Sequence, residues 1–382
     1  MTREWTVNGD FTALRPTGVA RYAREVTLAL DALIAQGHPL AEGLRVRLVV
    51  PRRPEGLPLR AIAVEVVPEF RSPRLPQFWV QLQLPRHVRG GLISLCNLAP
   101  VRVRRHIVCI HDLHTRMAPA SYGRLFRLAH RLVLPALGRR TAAITTVSAF
   151  SREQLVQAGI APADAIAIAP NGADHTARWN ARRARAAMPG RRPFVLGLGQ
   201  RQAYKNMALL ARLAPALDTL GLDLYLAGDV DPAAFQGAPA SLHLLGRVDD
   251  DRLAQLFTRA LCFAFPSRLE GFGLPVVEAM ACGCAVIAAD ATALPEVCGA
   301  AALLAPPDDD AAWLAAVCRL RDEPALRAHL ISAGLARAAG FSWRRSAETY
   351  LQLMARIDGF APPRHASPGP SPAAPPVPAL AP

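Results

Sequence analysis

The stretch LCFAFPSRLEGFGLPVVEAMACGCAVIAAD, residues 261–290, decides the fold. Its apolar run, Leu261 to Phe265, is bounded by Pro266 and Ser267 and reads as a buried strand leaving a sheet for a loop. The loop carries Glu270, Gly271 and Gly273. A helix is predicted from Pro275, because proline is tolerated in a first helical turn and Val276, Ala279 and Met280 recur at helical spacing. The helix stops at Gly283, and Ala285 to Ala289 reads as the next buried strand. Strand, glycine loop, helix and strand make the building block of a parallel α/β sheet. Glycines ahead of a helix N-terminus let a ligand approach backbone N–H groups, where the helix dipole favours anions such as a diphosphate.

Two carboxylates flank that helix start, Glu270 in the loop and Glu278 in the helix, near the same rim of the sheet. Carboxylates repel phosphate, so their natural partners are hydroxyls: one can take those of a sugar and the other those of a ribose. Together these parts describe a nucleotide-sugar pocket. On spacing alone, a generic βαβ crossover with two solvated glutamates fits equally well.

The segment PSRLEGFGLPVVEAMACG, residues 266–283, resembles the E-x7-E signature of retaining glycosyltransferases with two Rossmann-like domains, the GT-B group called family four. The resemblance covers loop, glycines, proline and both glutamates; Ala285 stands where the family often has proline. It implies an α/β, GT-B fold: two Rossmann-like domains facing across a cleft, with a C-terminal helix crossing back to the first. It further implies that Glu270 orients the donor sugar, that Glu278 holds the ribose, and that Gly271, Phe272, Gly273 and Leu274 border the donor. Such a site uses protein cations where other glycosyltransferases use a metal ion, so neither metal nor cofactor is expected.

Composition agrees with two domains. The chain has 382 residues, of which 51% are hydrophobic, enough for two cores. Formal charge is +14, and nearly all the cations are arginine. That balance suits nucleotide diphosphates, phospholipid surfaces or nucleic acid. The arginine runs, at Arg102, Arg104 and Arg105 and again over 182–192, lack the interleaved aromatics of a base-stacking platform, which argues against nucleic acid. The seven cysteines are odd in number and lie in apolar context, as free thiols in a reducing cytosol do. Cys282 and Cys284 form C-x-C without a second pair, a poor zinc signal. No uncharged apolar run is long enough to span a bilayer, and the N-terminus lacks the apolar core of a signal peptide. A cytoplasmic protein is expected, with peripheral contact to an anionic membrane through its basic surface.

Residues 1–185 read as the N-terminal, acceptor-side domain. A strand and turn are predicted over Thr6 to Phe11, then TGVARYARE places Gly18 before a helix with Tyr22, Val26, Leu30, Leu33 and Ile34 on one face. Gly18 resembles the family's N-terminal loop glycine, which approaches the donor diphosphate or the acceptor; a plain helix start fits the residues equally. Strands follow at Leu44 to Val50, Ala63 to Val67 and Leu92 to Leu95, and Arg71 to Arg89 reads as an acceptor-side loop. The strand His106 to Ile110 delivers His111, Asp112 and His114 to its carboxyl end, where open α/β sheets bind ligands. The resemblance places His111 beside the donor sugar's reacting carbon; a metal cluster is the lesser reading of this group. Ala142 to Val147 is the next strand, with Ser148 capping the helix that follows, and Asn171-Gly172 resembles the turn that leaves the first domain.

An arginine-rich linker, Thr176 to Arg192, leads to the nucleotide-sugar-binding domain, residues 186–343. Its first strand, Phe194 to Gly199, is followed by Arg201 and Lys205, two cations able to neutralise a departing diphosphate. Two solvated loop cations are the bland alternative. Strands at Leu222 to Ala227 and Leu242 to Leu245 follow, and Val248 lies in a turn that borders the nucleobase in the resembling family. Asp229 with Asp231, and Asp249 with Asp251, read as turn and cap residues. Helices are predicted at 311–320 and 326–338, a crossing helix over 344–360, and a disordered Pro/Ala-rich tail over 361–382.

The expected activity is a hexosyltransferase that moves mannose or a similar hexose, from GDP-mannose as first choice, to a glycan or lipid-linked acceptor in bacterial polysaccharide synthesis. TGVARYARE and CIHDLH resemble mannosyl- and rhamnosyltransferases of surface polysaccharide assembly. Alternatives are a nucleotide-sugar epimerase on the same fold and a non-catalytic scaffold protein.

Overall fold

The computed structural model describes residues 3–14, 17–69 and 78–361. The first sheet contains β1 (Arg3–Asn8), β2 (Leu44–Val50), β3 (Ala63–Val66), β4 (Gly91–Ser94), β5 (His106–Cys109), β6 (Ala143–Thr146) and β7 (Ile166–Ile168). Its order is β3-β2-β1-β4-β5-β6-β7, every pair parallel. Helices α1 (Gly18–Ala35), α2 (Arg124–Arg140) and α3 (Ala149–Gln157) belong to this half.

The second sheet contains β8 (Phe194–Gln200), β9 (Asp223–Asp229), β10 (Leu242–Gly246), β11 (Cys262–Phe265), β12 (Val286–Ala289) and β13 (Leu303–Ala305). Its order is β10-β9-β8-β11-β12-β13, again wholly parallel. Around it lie α4 (Met207–Thr219), α5 (Asp250–Arg259), α6 (Leu274–Ala281), α7 (Leu294–Cys298), α8 (Asp310–Asp322) and α9 (Pro324–Ala339). Helices cover both faces, so β11 and β12 are buried at every position and read as unbroken apolar runs. Both sheets are doubly wound and reverse direction at one point, between β1 and β4 in the first and between β8 and β11 in the second. Ligands of such sheets bind beyond the carboxyl ends of the strands at that switch.

The last helix, α10 (Trp343–Asp358), crosses back to the first sheet. Its Tyr350 hydroxyl lies 2.9 Å from that of Tyr22 on α1 and 2.8 Å from Thr145 Oγ1 on β6. At its end the buried Asp358 carboxylate accepts from Arg3 Nε at 2.7 Å and Trp5 Nε1 at 3.1 Å, and also pairs with Arg105.

Some boundaries differ from expectation. The strand and turn predicted over Thr6 to Phe11 are both present, but the strand begins earlier, at Arg3, and ends at Asn8, and Asp10–Ala13 forms the turn, 3-10 in type. The cause is local: the Asn8 side chain accepts from Asp10 N at 3.1 Å, and Gly9 packs so tightly on β2 that a Cβ there would lie 2.5 Å from Val49 O. The helix expected from Pro275 starts one residue earlier, at Leu274, with the proline in the first turn. A 3-10 turn, Asp174–Arg178, runs into the expected linker, and a second, Ala181–Arg183, stands within it. Of the expected acceptor-side loop, Trp79–Gln83 and Leu84–His87 are helical, with Trp79 Nε1 donating to Val67 O at 2.7 Å; its earlier part lies outside the described residues, as does the expected tail from 362 onward.

Candidate functional site

At the switch point of the second sheet, β8 and β11 end side by side. The loop after β8 turns through Ala203–Lys205 to Asn206, which sits in the left-handed region at φ 56°. Asparagine tolerates that region, and its Nδ2 donates to Pro266 O at 3.2 Å and Pro307 O at 2.7 Å, tying this loop to the one after β11. The tie brings Lys205 Nζ to 2.6 Å from Glu270 Oε1. The ammonium lies over the rings of Tyr204 and Phe265, each 5.6 Å away, and the lysine side chain is only 15% exposed. Lys205 is the single lysine of the chain; every other member of the 44 Lys and Arg residues is arginine.

The loop after β11 is shaped by what it touches. Gly271 faces the first half so closely that a Cβ there would lie 2.7 Å from His111 O. Its carbonyl accepts from Ser148 Oγ at 2.6 Å, while Ser148 also caps α3 by accepting from Ser151 N. Phe272 is buried edge-on against Phe341. Gly273, at φ 96°, forms the N-cap of α6, and a Cβ on it would lie 2.5 Å from the Leu294 side chain. Leu274 is buried one residue into the helix.

Glu278 is nearly fully buried in α6, and two residues that sequence reasoning did not single out for the site hold it, His175 and Arg21, with Trp343 orienting the histidine. His175 Nε2 lies 2.9 Å from Glu278 Oε1, and His175 Nδ1 accepts from Trp343 Nε1 at 3.0 Å. The tryptophan donor leaves Nδ1 as acceptor and turns Nε2–H toward the carboxylate. Arg21 Nε stands 3.5 Å from the same oxygen and pairs bidentately with Asp250 at 2.9 and 2.6 Å. Burial pushes the Asp250 carboxyl up, but Arg21 outweighs it and holds it below the ordinary value. One oxygen of Glu278 is thus committed to protein partners. His175, Arg21 and Trp343 come from far-apart stretches, and no local motif marks them.

The other predicted residues are placed as follows. His111 lies two residues beyond β5, with Nε2 at 2.8 Å from Leu95 O, its backbone N donating to Asn97 Oδ1 at 2.7 Å and its ring edge-on to Tyr22. Burial pulls its imidazole down, but the neighbouring Cys109 sulfur and the Leu95 carbonyl outweigh burial and raise its pKa. Gly18 opens α1 behind Thr17, whose hydroxyl accepts from Ala20 N, with open space where a Cβ would stand. Arg201 does not join Lys205: it is largely exposed and pairs with Asp229 at 3.1 Å. Val248 is half-buried between β10 and α5. The Asp-x-Asp residues act locally: Asp231 and Asp249 cap helical turns and Asp251 accepts from Asn180 N at 2.7 Å.

The first sheet's switch point holds a group that the sequence did not reveal. Asp10 follows β1, and its buried Oδ1 has no hydrogen-bond partner among the described residues. Burial raises its pKa from 3.8 to about 7, against smaller opposing effects of the Phe11 backbone and the Asn8 and Cys96 side chains.

Comparison with known proteins follows this division into halves. Residues 16–177 match the family model described as Glycosyltransferase Family 4, and residues 192–323 match Glycosyl transferases group 1. The chain is 29% identical over 261 residues to O-antigen chain mannosyltransferase B of Escherichia coli, covering 64% of this chain and 68% of that one. It is 30% identical over 177 residues to the serotype-specific mannosyltransferase WbdA of Escherichia coli, 43% of this chain but only 22% of the longer relative. Among solved structures, a sucrose-phosphate synthase of Thermosynechococcus elongatus superposes with TM-score 0.70 at 20% identity, over 94% of this chain and 99% of that one.

Proposed function

Because this chain is a glycosyltransferase of the GT-B fold, built from a family 4 domain followed by a group 1 domain, we propose that it is a retaining mannosyltransferase. The donor is GDP-mannose, and the acceptor is a glycan or lipid-linked glycan of bacterial surface polysaccharide synthesis. The observation that carries the reading is the Lys205–Glu270 pair at the second switch point, beside a Glu278 held by His175 and Arg21. Similarity to two proteins named mannosyltransferases supports the choice of sugar.

In this reading Lys205 and the amides near Gly273 stabilise the negative charge that grows on the departing diphosphate. Glu270 orients the donor sugar, and the oxygen of Glu278 not held by His175 takes a ribose hydroxyl. The anomeric C–O bond to phosphate breaks as the acceptor oxygen bonds to the same carbon on the same face, and the acceptor's proton passes to a departing phosphate oxygen. His111 lines the first-domain side of the reacting carbon, and Gly18 and Val248 border the donor at diphosphate and base.

Calorimetric titration of the purified chain with GDP, UDP, ADP and dTDP, with and without magnesium, tests this pocket. GDP is expected to bind without added metal, and Glu278→Gln to weaken it by roughly 1.5–3 kcal/mol, the worth of a hydrogen bond to a charged group. Lys205→Ala is expected mainly to slow mannosyl transfer. Wild-type transfer by both variants would sink the site assignment, and binding of another nucleotide in place of GDP would sink the donor.

A further inference from the structure

Helix α2 (Arg124–Arg140) presents leucine to solvent where a surface helix ordinarily presents charge. Leu125, Leu128 and Leu132 are 83%, 52% and 64% exposed. At i, i+3 and i+7 they form one stripe, diametrically opposite the buried face made by His130, Leu134 and Leu137. The helix contains no acidic residue. Arg124 and Arg131 flank the stripe on one side, and Arg139 and Arg140 close its C-terminal end; all four are exposed. Arg139 and Arg140, with Arg104 and Ala136, line an open concavity of about 650 Å³. Among the described residues none of these five arginines has an ion-pair partner. From Val101 to Arg140 the only acid is Asp112.

We propose that α2 is the seat of this protein on an anionic lipid bilayer, with the leucine stripe entering the acyl–headgroup boundary and the arginines binding lipid phosphates. Charge selects the occupant. A second protein surface could cover the leucines, but it would have to supply acids to match the unpaired arginines, and an anionic bilayer offers apolar and negative layers at the depths the helix presents. Apolar stripe with flanking cations is the pattern of helices lying in a membrane interface, where attraction to anionic lipid adds to burial. A broadly exposed apolar stripe on a monomer marks an interaction surface.

The helix also fixes where the bilayer stands. Tyr122, just ahead of α2, stacks on Phe126 and has its hydroxyl 3.4 Å from that of Tyr204, the neighbour of Lys205. Seating α2 on lipid therefore sets the mouth of the cleft at the membrane surface, where a lipid-linked acceptor would be presented. This consequence rests on the function proposed above; the lipid contact itself does not.

The test is flotation of the full chain with phosphatidylcholine vesicles made with and without phosphatidylglycerol. Wild type is expected on the anionic vesicles only, and to be released by salt as the Debye length shortens. The triple variant Leu125→Ser, Leu128→Ser, Leu132→Ser should keep its melting temperature and its transfer to a water-soluble acceptor while its lipid partition falls by about tenfold or more. Arg124→Gln, Arg131→Gln, Arg139→Gln and Arg140→Gln together should abolish the preference for anionic lipid. Failure of wild type to float, or flotation of the triple variant at the wild-type level, overturns the proposal. So does a dimer in sedimentation that the leucine substitutions dissociate, since a second copy would then cover the stripe. Loss of transfer by wild type with lipid binding intact would count against the proposed function and leave the lipid seat standing.

Discussion

Two side chains show how position gives a common group an unusual task. Lys205 is chemically ordinary, yet it is the one ammonium in a chain that otherwise uses guanidinium, and it stands 2.6 Å from Glu270 at a switch point. Asp10 is its counterpart in the first sheet, a half-buried residue whose buried Oδ1 has no hydrogen-bond partner among the described residues. Its folded pKa is about 7 against an ordinary 3.8. Between those values the folded state holds a proton that the unfolded chain has released, so stability must fall as pH rises through that window. Melting temperatures measured from about pH 4 to about pH 8 should decline for wild type, and Asp10→Asn should flatten the decline. An unchanged slope in Asp10→Asn would place the titration elsewhere.

At the scale of elements, the start of α6 depends on a residue without a side chain. Gly273 combines φ 96° with a Leu294 contact that leaves no room for a Cβ. Gly273→Ala should therefore add backbone strain to a core clash and lower stability by about 2 kcal/mol or more. Chemical denaturation measures that loss, and the same variant should weaken nucleotide binding because the helix N-terminus shifts. A substitution without effect on either would mean that the loop relaxes freely and does not shape the pocket.

At the scale of the molecule, the two halves are joined by the last helix and by contacts across the cleft. Asp358 gathers Arg3, Trp5 Nε1 and Arg105 at the far end of α10. The Arg3–Asp358 pair is nearly closed to water, and removing one partner leaves a buried charge uncompensated. Asp358→Ala should cost about 3–5 kcal/mol and loosen α10 from the first sheet. Hydrogen exchange in β1 and α10 should rise together; a rise confined to α10 would show that the helix does not brace the sheet. Across the cleft, Glu296 accepts from Ala149 N at 2.8 Å and Phe150 N at 3.0 Å, so a residue of the second half caps a helix of the first.

The alternation of buried strands and amphipathic helices made the fold legible from residues alone, because parallel strands covered on both faces are continuous apolar runs and their helices keep a 3.6-residue period. The central loop was legible for the same reason: glycines, proline and two glutamates are local signals. Helix α2 went unplaced in that reading, because its outward leucines blur the apolar face that betrays a helix. The supports of Glu278 were invisible as well. His175 and Arg21 reach one carboxylate from separate segments, Trp343 orients the histidine from a third, and only the packing of α1 and α10 against the second half brings them together. Local pattern thus determined the two sheets and the loop that carries the glutamates. Which oxygen of Glu278 stays open, where Arg201 points and what pushes up Asp10 were decided by tertiary structure, since burial and partner geometry depend on residues that no spacing along the chain connects.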